Sequence, residues 1–224
     1  MNIIVSTSTV NDGNMSNGKS KIDDKIIANR SAFLTKNGID INKTTKVYIV
    51  YSGDNYCRYH EVSNQHLGNG MFFDNDIDPA DGLITRDINH ALFLPIADCV
   101  GVVLFDPIKN ILMLSHIGRH SLEQNGGHKS VKFLVDQYKC NPKNLLIWLT
   151  PAPGSDAYPL FAFNGQSIKD IIFHQLKTAG ILLTNINDNP ADTSTDLNYY
   201  SHSEYLKGNR PDDGRFAVVT MMKN

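Results

Sequence analysis

Short apolar runs without helical spacing recur along the chain at residues 3–7, 46–51, 82–85, 91–95, 100–105, 111–115, 145–149 and 215–222, and each reads as a β-strand. The runs at 100–105 and 111–115 are continuous in apolar character, as strands covered on both faces are. Asp106-Pro107 and Lys109-Asn110 supply turn chemistry between them, which predicts a hairpin. Elsewhere the period shifts to that of a helix. Ile26, Ile27, Phe33 and Leu34, with Gly38 in the C′ position, predict one over 23–37. Val131, Leu134, Val135 and Tyr138 at i, i+3, i+4 and i+7 predict a second over 121–138, and Ile168, Ile171, Ile172 and Leu176 a third over 167–179 with Gly180 as its stop. The polar stretches 10–20, 66–81 and 188–209 read as connections. Alternating strands and helices without a linker indicate a single α/β or α+β domain over 1–224.

The acidic alternation Asp74, Asp76, Asp78 invites a calcium-loop reading, which fails on spacing. Counted from Asp74, the positions that need Gly and Glu hold Pro79 and Thr85.

Composition narrows the function classes. With 224 residues and 41% hydrophobic side chains the chain can bury one substantial core. A net charge of −2 and the absence of a Lys/Arg run argue against nucleic acid or an anionic membrane as partner. The N-terminus lacks the basic and apolar regions of a signal peptide, and no apolar run approaches a membrane span, so a cytoplasmic protein is expected. Cys57, Cys99 and Cys140 are odd in number and widely spaced, poor material for a disulfide framework.

The candidate chemistry sits at the ends of the central hairpin. Cys99 opens one run and His116 closes the other, so pairing of the runs would bring thiol and imidazole to one open end. Either residue alone is more often an inert core group. Their company changes that: Asp98 precedes the cysteine, Arg119 and His120 follow the histidine, and so many ionisable groups are costly to bury without a purpose.

Two stretches, DGLITRDINHALFLPIADCVGVVLFDP at 81–107 and LSHIGRHSL at 114–122, resemble the paired signatures of the bacterial laccase-domain proteins, the polyphenol-oxidase-like or zinc-dependent purine nucleoside phosphorylase family. The family pattern is D-x-L-V-T, then A-D-C-x-P-V-x-L-x-D-P, then H-A-G-W-R-G. Arg58-Tyr59-His60-Glu61-Val62 resembles the family's Q-V-H-G segment, and Asp12-Gly13-Asn14-Met15, Asn29-Arg30 and Gly214-Arg215-Phe216-Ala217 resemble further landmarks. The resemblance implies an α+β fold of layered α/β/β/α type with mixed sheets. It also implies a zinc, with copper a lesser alternative, held by His60, Cys99 and His116 with one position open for water. Asp98, Cys99 and His116 would be catalytic, and Asn14, Arg58, Arg119 and His120 would bind substrate. The implied reaction is phosphorolysis of adenosine- or inosine-type nucleosides to free base and ribose 1-phosphate, with adenosine deamination by metal hydroxide as a further activity.

The chain also departs from that pattern. His116-Ile117-Gly118-Arg119-His120-Ser121 stands for H-A-G-W-R-G, Thr150 precedes a loose Pro151–Gly154 version of G-P-x-I-G, Asp192 replaces a Cys, and Ser203-Glu204 replaces an Arg-Arg pair. Two other readings therefore stay open: a thiol hydrolase with Cys99 as nucleophile and His116 as base, and a non-catalytic descendant that binds metal or ligand. Multicopper-type polyphenol oxidation is not expected from 8 His residues with no His-x-His pair.

Overall fold

In a computed structural model that describes residues 2–17, 23–73 and 78–224, the two continuous apolar runs form the centre of a six-stranded sheet. The elements in chain order are β1 (Asn2–Thr7), α1 (Asp24–Lys36), β2 (Thr44–Lys46), β3 (Tyr59–Glu61), β4 (Gly82–Thr85), β5 (Ala91–Ile96), β6 (Val100–Asp106) and β7 (Ile111–Ile117). They continue with α2 (Arg119–Glu123), α3 (Gly126–Tyr138), β8 (Leu146–Leu149), α4 (Ile168–Thr178), β9 (Ile186–Asp188), α5 (His202–Leu206) and β10 (Phe216–Lys223).

The larger sheet has the order β3-β4-β7-β6-β8-β9 and the smaller β1-β10-β5-β2. Both are mixed: β3 with β4, β8 with β9 and β2 with β5 pair parallel, and the remaining neighbours antiparallel. Alternation along the central strands sorts the core into three layers. Val100, Val102 and Leu104 of β6 face the helices, where they meet Val131 and Leu134 of α3 and Ile168, Ile172 and Leu176 of α4. Val103 and Phe105 face the smaller sheet and meet Leu92, Leu94, Phe216 and Val218. Beyond that sheet, Phe33 and Leu34 of α1 cover Ala91, Phe93 and Val219. This is the layered α/β/β/α arrangement with mixed sheets that the resemblance implied. Among the described residues no helix is long and apolar enough to cross a membrane.

Helix boundaries follow their capping residues. Asp23 caps α1 by accepting from the Ile26 amide at 2.8 Å, and Ser167 caps α4 by accepting from Asp170 N at 3.1 Å. Gly38 and Gly180 follow the two helices at φ +70° and +94°, the left-handed backbone in which glycine is at ease.

Three expectations need correction. The strand expected at 46–51 is Thr44–Lys46; Val47 adds one bond to the Phe93 carbonyl at 2.9 Å and the chain then leaves the sheet. The helix expected over 121–138 is two helices, because Asn125 turns left-handed at φ +64° and Gly126 packs so tightly that a Cβ there would lie 2.7 Å from the Ser121 carbonyl oxygen. Gln175 of α4 stitches that break, accepting from Gly127 N and donating to the Leu122 carbonyl, each at 2.9 Å. The polar stretch 188–209, expected as a connection, carries α5. The rejected calcium reading at Asp74 and Asp76, and the last residues of the 10–20 connection, lie outside the described residues.

Candidate active site

Antiparallel register decides what meets at the open end of the hairpin. Val100 pairs with Ile117 and Gly101 with His116, so Cys99 falls opposite Gly118, one step beyond the strands. Glycine is needed at 118 for space: a Cβ there would stand 2.7 Å from Cys99 Sγ and 3.6 Å from His116 Nε2. Thiol and imidazole thus converge on the room that the missing side chain leaves. Gly118 also caps α2, its amide donating to Ser121 Oγ at 2.9 Å.

Electrostatics leave both groups uncharged near neutrality. Burial pulls the His116 pKa down to about 4 against a weaker opposing pull from Asp81, and Nε2 has no hydrogen-bond partner among the described residues. Burial, reinforced by the Asp98 charge and opposed by Arg215, pushes the Cys99 thiol up to about 12. The Tyr51 ring stands edge-on to His116, centroids 6.2 Å apart.

A cavity of about 390 Å³ opens on this pair, within the range of small-molecule sites. The β5–β6 turn, α2, α5 and the approach to β10 wall it. In the turn, Asp98 adopts φ +72°, and its carboxylate accepts from Thr193 Oγ1 at 3.1 Å and from Ser203 N at 2.7 Å. Asp98 therefore fastens the turn to α5. On the α2 side the His120 ring stacks on Tyr56, centroids 4.7 Å apart and planes 22° from parallel, next to Arg119. Tyr158 and His202 also line the cavity. Arg215 is held there by its amide donating to Asn14 Oδ1 at 2.8 Å and its Nη1 donating to Asp213 Oδ1 at 2.6 Å.

Of the expected site residues, Asp98, Cys99, His116, Arg119 and His120 line this one cavity. His60, Arg58 and Asn14 do not. His60 sits in β3 in parallel register with Leu83, on the face that looks toward the smaller sheet, because β3 enters as the edge strand beside β4. The chain that reaches the cavity from this side is instead the turn carrying Tyr51 and Tyr56. Arg58 is committed to Asp81, donating from Nε at 2.8 Å and Nη2 at 3.1 Å, and its Nη2 also donates to the Val50 carbonyl. Asn14 acts one step back, through Arg215. Sequence reasoning missed Tyr51, Tyr56, Tyr158 and His202 as site residues; single aromatics and a histidine in polar connections carry no periodic signal. Arg215 was visible only within a landmark.

The donor set bears on the implied zinc. Cys99 Sγ and the unpartnered, buried Nε2 of His116 suit a borderline-soft ion. The third donor does not arrive: among the described residues no three His, Cys, Asp or Glu side chains come together to hold a metal. The structure does not bring His60 to Cys99 and His116, and among the described residues the set stops short of the three protein ligands of a catalytic zinc.

Comparison with known proteins gives this architecture its relatives. The family model for multi-copper polyphenol oxidoreductase laccase matches residues 2–164. The purine nucleoside phosphorylase YlmD of Bacillus subtilis (strain 168) is 26% identical over 102 residues, 45% of this chain and only 37% of that protein's length. The crystal structure of the hypothetical protein YfiH of Bacillus licheniformis superposes with a TM-score of 0.87 at 20% identity, over 99% of this chain and 93% of that one. YlmD from Geobacillus stearothermophilus gives 0.84 at 18% identity, over 99% and 92% of the two chains, and Neisseria meningitidis NMB0706 gives 0.76 at 15%, over 100% and 95%. At these identities the structures speak for the fold, and the family match, which covers most of the chain, speaks for descent. The chain belongs to the multi-copper polyphenol oxidoreductase laccase family, as a divergent member.

Proposed function

We propose that the cavity cleaves purine nucleosides of the adenosine or inosine type by phosphorolysis, giving free base and ribose 1-phosphate. One observation carries the reading: a single cavity of nucleoside size combines aromatic walls with two guanidinium groups, Arg119 and Arg215. A purine stacks on the Tyr56–His120 side, since a flat π-system gains most against aromatic faces. Phosphate lies between Arg119 and Arg215, whose planar donors match its oxygens. The name of the YlmD relative points the same way.

In the reaction a phosphate oxygen bonds to C1′ of the ribose as the C1′–N9 bond breaks and its electron pair passes into the purine. The chain's task is to hold phosphate and sugar in line and to keep water, a competing nucleophile, away from C1′. Neutral Cys99 and neutral His116 stand at the floor of the cavity, with the Tyr51 ring beside them. Zinc at Cys99 and His116 would need a third group from beyond the described residues, so no step is drawn through it. The thiol-hydrolase reading loses support, because the Cys99 thiol is pushed away from thiolate and His116 Nε2 is not paired with it.

The test is base release from inosine and adenosine, with and without phosphate, by wild type and Arg119→Gln. Release that requires phosphate, with kcat/KM for phosphate lowered on the order of 10²-fold in the variant, is expected for a lost charge-assisted contact. Ammonia release independent of phosphate would replace phosphorolysis by deamination. No turnover of either nucleoside would leave a binding protein.

A further inference from the structure

We infer that His202 donates the proton that the departing base needs, an inference that rests on the phosphorolysis reading. His202 opens α5, a helix with no counterpart in the expected set of site residues, and lines the cavity. Its Nδ1 lies 2.8 Å from Asp213 Oδ1. The same oxygen accepts from Arg215 Nη1 at 2.6 Å. One carboxylate thus ties together a histidine and an arginine that both face the cavity.

That tie fixes the proton's place. A carboxylate accepts, so Nδ1 carries hydrogen toward Asp213, and Nε2 remains as the nitrogen that exchanges its proton with whatever occupies the cavity. The other two cavity histidines are worse placed. His116 is buried, with its ring edge-on to Tyr51. The His120 ring is stacked on Tyr56, and its Nδ1 is 4.0 Å from Glu123 Oε2, beyond hydrogen-bond reach. The His202 side chain is 44% exposed, so solvent can reload it between turnovers.

The chemistry balances with no other reactant. Dihydrogen phosphate bonds through oxygen to C1′ while the C1′–N9 bond breaks and its electron pair enters the purine. Nε2 of protonated His202 gives its proton to N7, and the base leaves neutral. The newly formed phosphate ester gives one of its protons back to His202 and leaves as the monoanion.

A nucleoside methylated at N7 removes the need for that proton, because its base already carries a positive charge and leaves as a neutral species. The experiment compares inosine with 7-methylinosine on the whole chain, wild type against His202→Gln. The expected result is a kcat on inosine lowered on the order of 10²- to 10³-fold, as for loss of a general acid. On 7-methylinosine kcat should fall less than about threefold. An equal loss on both nucleosides, or no loss on either, overturns the assignment. If wild type releases base from neither nucleoside, the phosphorolysis reading itself has failed and this inference goes with it.

Discussion

At the turn before β5, His90 is fully buried, with Nε2 2.7 Å from Thr45 Oγ1 and Nδ1 without a partner among the described residues. Burial is the main cause that brings its pKa from 6.5 to about 4; Asp87 opposes the shift and His66 adds to it. The folded chain therefore resists a proton that the unfolded chain accepts below about pH 6.5, so unfolding takes up protons between about pH 6.5 and 4. Stability is fully present above that window and falls as the pH drops through it, by about 3 kcal/mol for this one side chain at the lower end. Replacing His90 by Gln should flatten the acid limb of a Tm-against-pH curve while leaving its neutral plateau lower or unchanged. A variant whose acid slope matches wild type would show that His90 is not the group that titrates. Nothing in the sequence marks His90, because burial and an unpaired nitrogen are properties of the folded turn. Cys99 and His116 were legible because each ends a continuous apolar run, and register alone then brings the two together. That His60 stands away from the cavity was not legible for the converse reason: which edge strand carries a residue past a cavity depends on strand order, which local pattern does not encode.

Between elements, the seating of the hairpin on the smaller sheet turns on Gly101. It pairs with His116, and a Cβ on it would stand 2.6 Å from Val218 Cγ1 of β10 and 3.2 Å from Thr150 Cγ2. Its amide also donates to Thr150 Oγ1 at 2.9 Å, so β6 is held close to the chain leaving β8 at this point. Overpacking at such a contact costs about 1–3 kcal/mol, because the surrounding side chains are already in close contact. Gly101→Ala should lower stability by about that much and displace the His116 ring next to it, read as a changed imidazole chemical shift in an NMR titration. Unchanged stability and an unchanged His116 signal would mean that the two sheets have slack here. The strands and helices around this contact were legible from period because each buries a full face. β9, three residues long, and α5, whose one buried residue is Glu204, have too little apolar repeat to register. What positions α5 is instead a long-range bond, from Ser203 N to Asp98.

Across the whole molecule, the family match ends at residue 164, yet the last strand is built into the middle of the fold. β10 lies between β1 and β5, so without it β1 has no neighbour in its sheet. Phe216, Val218 and Met222 on one face of β10 complete the layer between the sheets, and Ala217, Val219 and Met221 on the other complete the layer under α1. Five of these six side chains are large, and burying each contributes about 1.5–3 kcal/mol, a total on the order of 10 kcal/mol. That equals the entire net stability of a typical domain, roughly 5–15 kcal/mol. A chain ending at Asn209 should therefore lack a cooperative transition, whereas losing a surface appendage would leave one. Trp148, the single tryptophan, packs against the layer between the sheets and provides the readout. In a urea titration followed by its fluorescence, the full chain should give one sigmoidal transition and the shortened chain a featureless slope. A cooperative transition in the shortened chain with the m-value of the full one would mean that the smaller sheet closes without its central strand. Arg215, and Asp213 which holds His202, would then be what the cavity needs from the C-terminal segment beyond Asn209.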